Sequence, residues 1–454
     1  MAGYSKAGER PIERYEELFA PFEQAMKPEA QHRIGTETEK FGVFESSGAP
    51  LGYDGPDGVV GILHALCAQF GWREQRETEH GPLLALGRGD ASITLEPGAQ
   101  LELSGAPLGD LHAVAAELRE HFGELERVCE GRGIAWLATG FHPLAHPSEL
   151  PWVPKDRYGV MREYFPTRGG RGLDMMRRTA TVQANFDYVD EEDALRKLRV
   201  GLKLAPVTTA MFASSPLYEG ELTGKKTLRA EVWLDVDPDR TGLLPVLLRP
   251  EARIADYVEW ALDVPMYLFK RRGKPIVNIG QTFREFWKHG FEGERPWPTD
   301  WEVHLNTLFP EVRLKRTLEV RGADSVPREL AAALPALWTG LWYDARALAA
   351  AEALTEPLDA AALAACRPSI PVLGLGAPLA GRKVQHFAEA ALTIARGGLE
   401  RRARRDAEGR DEARYLEPLE RLVGAGRSPA DDIVAALERS GGTAIAAIVA
   451  ATRG

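Results

Sequence analysis

The chain has 454 residues, 44% hydrophobic, 27% charged and 8% aromatic, enough for one large folded domain or two to three ordinary ones, and it excludes disorder as the main state. Lys and Arg total 56 against 66 Asp and Glu, so a net charge of −10 with interspersed signs opposes binding to nucleic acid or anionic lipid. The longest apolar runs, such as 443–452, fall short of the roughly 18–20 residues that cross a bilayer, and neither nucleic acid nor membrane is expected as a partner.

The start of the chain mixes Glu9, Arg10, Glu13, Arg14, Glu16 and Glu17 without an apolar core, unlike a signal peptide or an acid-poor transit peptide. A mature chain that begins near Met1 and stays in the cytoplasm is the expectation. A short helix is predicted over 12–27, a strand over 32–44, turns over 46–58 and a helix over 59–70, where Leu63, Leu66 and Phe70 recur at helical spacing. A strongly patterned run follows over 91–104. Asp110 is suited to cap a helix over 111–130, with Leu118, Phe122, Leu125 and Cys129 on one face and Gly131 as its stop. The segment 134–140 has a strand pattern. The stretch 143–172, rich in Pro, Gly and Arg, exceeds an ordinary connection and is expected to be a functional loop.

A strand over 179–188 precedes an Asp-capped helix over 190–203. Strand patterns return at 227–233 and 312–320, with helices between them at 254–262 and around Phe283. From Pro327 onward the composition becomes Ala- and Leu-rich helix, ending over 429–452. No internal repeat or low-complexity linker divides the chain, so residues 1–454 are expected to form one α+β domain with a helical C-terminal third. Cys67, Cys129 and Cys366 lie far apart with no CxxC spacing, the pattern of bland thiols rather than of disulfides or zinc.

Because every second residue of a strand shares a face, four segments present polar faces opposite apolar ones. Glu37 and Glu39 share a face in RIGTETEKFG. In ITLEPGAQLELSG, Glu96, Gln100, Glu102 and Ser104 alternate with leucines, and Pro97–Gly98 is expected to form a bulge that re-aims Glu96. In RTATVQANFDY, which starts at Arg178, Thr181, Gln183 and Asn185 alternate with Val182 and Ala184. In VRLKRTLEVRGAD, Arg313, Lys315, Thr317, Glu319 and Arg321 alternate with Leu314 and Leu318, broken only by Arg316. The segment TLRAEVW is a weaker fifth case, with Arg229, Glu231 and Trp233 on one side.

A solvated sheet face normally carries Thr, Lys or Ser rather than recurrent Glu. Five carboxylates on one face, Glu37, Glu39, Glu96, Glu102 and Glu319, would repel one another unless cations neutralised them. Oxygen donors without a His or Cys cluster point to a hard ion, Mg²⁺ or Mn²⁺, of the kind that also holds substrate phosphates. Arg229 and Arg321 would supply anion-binding forks.

RIGTETEKFG, SITLEPGAQLELSGAPL, GLDMMRRTATVQANFDY, SSPLYEG, DRTG, YVEWALDVPMYLF, TDWEVHLNTLFPEVRLKRTLEVRGAD and ALPALWTGLWYD together resemble the plant and proteobacterial class of glutamate–cysteine ligases, over nearly the whole chain from His32. The resemblance implies a glutamine synthetase-like fold, a curved, mainly antiparallel sheet forming a half-barrel funnel with helices outside. It implies transfer of the ATP γ-phosphate to the γ-carboxylate of L-glutamate, then attack by the amine of L-cysteine to give γ-glutamylcysteine. By position, Glu37, Glu39, Glu96, Glu102 and Glu319 match metal-binding carboxylates, and Arg321 matches a contact to the transferring phosphoryl group. Arg229 matches a substrate-contacting arginine. Gln183, Asn185, Trp233 and Arg178 join it as substrate- or ATP-binding candidates, Gln183 at a position where related ligases often carry a histidine. The loop 143–172 is the candidate lid.

Ala115 and Ala332 stand where plant relatives carry a cysteine pair, so redox control through that bridge is expected to be absent. A monomer or weak homodimer is expected. Two other readings fit the same residues: a ligase of this fold that joins glutamate to another amine, and a silent nucleotide- or glutamate-binding regulator. His142 and His146 have metal-like spacing, but Pro143 and Pro147 forbid a helix there, and loop histidines are expected. Trp338 and Trp342 are expected in the core.

Overall fold

β1 (Ile34–Phe44) is the strand on which the sheet is built. Its 11 residues pair with three other strands, and its alternation sends Glu37 and Glu39 to one face and Ile34, Thr36 and Thr38 to the other. The chain is described by a computed structural model over residues 10–78 and 80–454; Glu9 and the rest of the mixed-charge start before Arg10 lie outside the described residues.

Eight further strands complete the sheet: β2 (Arg73–Arg76), β3 (Leu83–Arg88), β4 (Ala91–Leu95), β5 (Leu101–Ser104), β6 (Ile134–Leu137), β7 (Val182–Phe186), β8 (Val312–Leu314) and β9 (Leu318–Val320). The order is β8-β9-β7-β1-β5-β4-β3-β2, with β6 on the far end of β1, and every pairing is antiparallel. The expected α+β architecture with a mainly antiparallel sheet is the one observed.

The apolar face, carrying Ile34, Leu101, Leu103, Val182, Ala184, Phe186, Leu318 and Val320, is buried against helices Leu111–Cys129, Glu191–Met211 and Ala333–Trp342. Asp110 accepts from the Ala113 N–H at 2.8 Å and caps the first of these as expected. Trp338 and Trp342 are buried with ring centroids 4.6 Å apart. Helix Val384–Arg402 packs behind Ala333–Trp342. Among the described residues no single helix is long and apolar enough to cross a membrane.

Five local expectations are corrected. The 227–233 segment is not a strand but helix Leu228–Trp233, because the Thr227 hydroxyl accepts from the Ala230 N–H at 3.1 Å and Leu228 and Val232, four apart, both bury. The run 312–320 is a hairpin: the Lys315 N–H donates to the Thr317 carbonyl at 2.9 Å, and the residue that broke the alternation, Arg316, sits at the turn. Arg313 and Glu319 face each other across it, so the shared polar face survives.

The run 91–104 is also a hairpin rather than a bulged strand. The Ala99 N–H reaches the Glu96 carbonyl at 2.9 Å, and Ala99 adopts φ 66°, which reverses the chain. The stretch 143–172 contains helix Asp156–Tyr164, since Tyr158, Met161 and Tyr164 bury one stripe of it. The C-terminal 429–452 divides into Pro429–Ser440 and Ile445–Thr452, with Gly441 at φ 84° ending the first.

The three cysteines are free, and Ala115 and Ala332 are buried. Two helices of the C-terminal third touch backbone to backbone. A Cβ on Gly398 would lie 2.0 Å from the Gly340 carbonyl oxygen, and one on Gly340 would lie 2.3 Å from that of Ala395. Gly398→Ala is therefore predicted to lower the unfolding free energy by about 1–3 kcal/mol, the cost of overpacking. Urea titration at unchanged slope checks it, and an unaltered midpoint would show that the contact is soft.

Candidate active site

The strand registers assemble the polar face row by row. Glu37 lies between Ser104 of β5 and Gln183 of β7; Glu39 lies opposite Glu102; Asn185 of β7 lies between Gly35 and Glu319; and Glu319 lies opposite Arg313. These pairings put residues distant in sequence about 5 Å apart, since directly opposed residues of antiparallel strands stand at that spacing. Glu37, Glu39, Glu102, Glu319, Gln183 and Asn185 are thus on one face, and Glu96 stands at the tip of the β4–β5 hairpin beside it.

Charge is distributed unevenly over this face. Glu319, fully buried, accepts from Arg313 Nη2 at 2.7 and 2.9 Å and is also paired with Lys315 and Arg321. Burial alone would raise its carboxyl, but those three cations hold it well below the usual carboxylate range. Glu37 accepts from Asn185 Nδ2 at 2.9 Å, and burial together with the Glu319 and Glu102 charges pushes it up to about 7. Glu39 accepts from the Thr181 N–H at 3.0 Å, and burial with Glu96 and Glu102 nearby raises it well above the ordinary value. Glu102 accepts from the Thr94 hydroxyl at 2.5 Å and is raised by burial and by Glu96.

The five carboxylates of the expected metal set are not gathered at one point in this arrangement. Among the described residues no three His, Cys, Asp or Glu side chains converge on a cation-sized site. Glu319 is already neutralised by side chains, whereas Glu37, Glu39 and Glu102 accept only from neutral donors and crowd like charge together. Carboxylate oxygens that no side-chain cation hydrogen-bonds are the donors a hard cation takes; Glu319 is instead paired with three side-chain cations in this arrangement.

Arg321 donates to Gln183 Oε1 at 2.9 Å, so the Gln183 oxygen is taken by a guanidinium in this arrangement. Asn185 bridges Glu37 to the Thr317 hydroxyl, which donates to Asn185 Oδ1 at 3.0 Å. Arg229 reaches the sheet from helix Leu228–Trp233 and donates to the Arg321 carbonyl at 2.8 Å. A cavity beside these arginines is lined by Thr209, Arg229, Trp233, Phe309, Arg321 and Arg367. The Trp233 Nε1–H is buried there without a partner.

Arg178 departs from expectation. Its guanidinium is buried between the Phe141 and Tyr218 rings, donates to the Ala145 carbonyl at 3.1 Å and pairs with Glu219 at 3.1 Å. It pins the 141–146 loop from the end of helix Gly172–Arg178, and the alternation that puts Gln183 and Asn185 on the carboxylate face would put Arg178 on the opposite one with Ala180 and Val182.

Sequence reasoning missed Lys155 and Arg157. They sit at the start of helix Asp156–Tyr164, and both act electrostatically on Glu96 and Glu102. The segment is anchored by the Val153 N–H to the Pro97 carbonyl at 2.9 Å and by the Tyr158 hydroxyl to the Leu95 carbonyl at 2.8 Å. No periodicity marks these two cations; only the tether to the β4–β5 hairpin brings them in. Phe309, paired with Thr241, and Arg367, ion-paired with Glu311 at 2.7 Å, are likewise placed by long-range contacts that no periodicity marks.

The model of glutamate-cysteine ligase family 2 matches residues 33–450. The chloroplastic glutamate–cysteine ligase of Arabidopsis thaliana is 42% identical over 427 residues, covering 93% of this chain and 80% of that protein. Ligase B of Oryza sativa subsp. japonica, also chloroplastic, is 41% identical over 422 residues, 92% of this chain and 83% of that protein.

Two solved structures share the fold at 13% identity. A Francisella tularensis glutamate–cysteine ligase in complex with AMP has TM-score 0.56 over 94% of this chain and 88% of its own. A bifunctional glutathione synthetase from Pasteurella multocida has TM-score 0.54 over 96% of this chain and 53% of its own. The cytoplasmic expectation is overturned by the chloroplastic names of the curated relatives. Compartment is written in targeting segments that are removed from mature proteins, so the composition of the folded part does not carry it.

The upward shift of Glu37 has a stability consequence. The folded chain holds this proton more tightly than the unfolded chain, whose carboxyl titrates near 4.5, so the contribution is full below that pH and is lost as pH rises through about 7. Without added metal, Glu37→Gln is predicted to gain on the parent across that window, by on the order of 1–3 kcal/mol. Urea unfolding at a series of pH values checks it; parallel pH profiles for the two proteins would contradict it.

Proposed function

The chain belongs to glutamate-cysteine ligase family 2, and from that membership we propose how its own residues make γ-glutamylcysteine. It is an ATP-using ligase whose substrates are L-glutamate and L-cysteine. The carrying observation is the polar sheet face on which Glu37, Glu39 and Glu102, carboxylates hydrogen-bonded only by neutral donors, adjoin the arginines Arg321 and Arg229.

The γ-carboxylate oxygen of glutamate attacks the γ-phosphorus of ATP and ADP departs, leaving γ-glutamyl phosphate. The cysteine amine then attacks the acyl carbon, inorganic phosphate leaves, and the nitrogen sheds a proton. Both steps bring anions together, so positioned positive charge does most of the work. Arg321, at the edge of the carboxylate face, is oriented by Gln183 and Glu319 toward the transferring phosphoryl group. Arg229 takes a substrate carboxylate, and Trp233 and Asn185 line the amino-acid pockets. Glu37, Glu39, Glu96 and Glu102 would hold Mg²⁺ or Mn²⁺, which when bound supplies neutralising charge to the phosphates.

An acyl phosphate must be shielded from water. The 143–172 stretch, with Lys155 and Arg157 at the start of its helix, serves as the lid. The whole chain acts as one catalytic domain, a reading supported by the C-terminal helices packing on the back of the same sheet that carries the carboxylates.

ADP release is the test. It should require glutamate, cysteine and Mg²⁺ together and be blocked by buthionine sulfoximine, while release with a different amine and none with cysteine would overturn the substrate assignment. Arg321→Gln is expected to lower kcat by about 10²- to 10³-fold, the size of a lost transition-state charge contact. A change confined to KM would instead make Arg321 a ground-state binding group.

A further inference from the structure

Asp324 is fully buried four residues past the end of β9, far from any solvent that could hydrate an ionised carboxylate. Such a group is costly unless its oxygens are satisfied. Three donors satisfy it: the Ser214 N–H at 2.8 Å and the Ser215 hydroxyl at 2.7 Å on Oδ2, and the Thr227 hydroxyl at 2.9 Å on Oδ1. The fit is tight, for a Cβ on Gly140 would stand 2.2 Å from Asp324 Cγ.

Each of the two hydroxyls has a second duty. Ser215 Oγ accepts the Arg229 backbone N–H at 3.3 Å, and Thr227 Oγ1 accepts the Ala230 N–H at 3.1 Å as the cap of helix Leu228–Trp233. An ionised carboxylate only accepts, so it fixes the proton of each hydroxyl on itself and leaves the lone pairs turned to the helix. The first turn of that helix, and with it Arg229, is aimed through these two relays. The Ser215 N–H to the Lys226 carbonyl and the Leu228 N–H to the Ser215 carbonyl, both 3.0 Å, complete the seat.

The guanidinium itself is left unpaired. It donates to the Arg321 carbonyl at 2.8 Å, and among the described residues no carboxylate forms an ion pair with it. A carboxylate in direct contact would hold Arg229 firmly but fill the fork that a substrate needs. Asp324 instead touches the hydroxyls at the head of the helix, and its charge favours the buried cation without filling the fork.

We propose that Asp324 is the positioning residue for Arg229, acting through the Ser215 and Thr227 hydroxyls to hold the guanidinium open for the carboxylate of an amino-acid substrate; the proposal rests on the assignment of Arg229 to that substrate. Asp324→Asn is the sharpest change, because its amide must either present a donor to the Ser214 N–H or donate to a hydroxyl that was itself a donor. Either choice reverses a relay.

The test is a double-mutant cycle of Asp324→Asn with Arg229→Lys, read as KM for glutamate, cysteine and ATP and as kcat. On the parent background Asp324→Asn should raise KM for one amino acid by about 10- to 100-fold, the range that a small misplacement of a binding group produces, and leave KM for ATP unchanged. On the Arg229→Lys background the same change should add less than about 3-fold, since coupled groups are non-additive. Equal factors on both backgrounds, or equal rises for ATP and the amino acids, would overturn the proposal while leaving the role of Arg229 intact. Unchanged KM for both amino acids in Arg229→Lys would instead remove the Arg229 assignment, and the proposal with it. Should Asp324→Asn not fold, Thr227→Val breaks one relay alone and should raise the same KM, with Thr227→Ser restoring it; a Thr227→Val enzyme with parental KM would also overturn the proposal.

Discussion

Like charge held out of water on one side of a β-sheet is the constraint on which the rest of this structure depends. Carboxylates at this spacing in a low-dielectric setting repel by more than surface pairs ever do. The molecule answers in two ways. At the β8–β9 edge it brings Arg313, Lys315 and Arg321 onto Glu319, and that carboxylate stays ionised. At β1 and β5 it offers Glu37, Glu39 and Glu102 only neutral hydrogen-bond donors, and burial with mutual repulsion raises those carboxyls above the ordinary range. A face that is neutralised at one edge and left short of positive charge in the middle is prepared for ligands that bring the missing charge.

The same division explains why rigidity matters more here than a reactive side chain. Phosphoryl and acyl transfer between anions is accelerated by charges that need not reorganise. β1 supplies this rigidity by pairing with β5, β6 and β7 at once, and the helices on its apolar face bury the opposite side chains. Arg229 is the exception in origin, since it comes from a six-residue helix rather than a strand. A helix that short has little stability of its own, so its direction depends on the capping hydroxyl and the buried Asp324 beneath it.

Legibility in the sequence followed the range of the interactions involved. Period-two alternation placed Glu37, Glu39, Gln183 and Asn185 on one face correctly, because in a half-buried strand that period is set by the backbone itself. The glutamates near Pro97 and the cations around Arg316 were assigned to the right face but the wrong element, since a hairpin and a continuous strand keep the same alternation on either side of a reversal. The segment 227–233 was misread because Arg229, Glu231 and Trp233 also alternate; Leu228 and Val232, one helical turn apart, were the competing signal, and burial decided for them.

What the sequence by itself determined was the membership of the family, the strands that bear carboxylates and the absence of cysteine pairing, all of which reside in local pattern or in residue identity. Tertiary structure alone decided which carboxylate is neutralised by which cation. Glu319 meets Arg313 through a hairpin register, Arg321 meets Gln183 across β7 and β9, and Lys155 reaches Glu96 and Glu102 only because its loop is tied to the β4–β5 turn. Electrostatic energy falls with distance through space and is indifferent to separation along the chain, so the charge pattern of a site exists only after the fold has brought its members together.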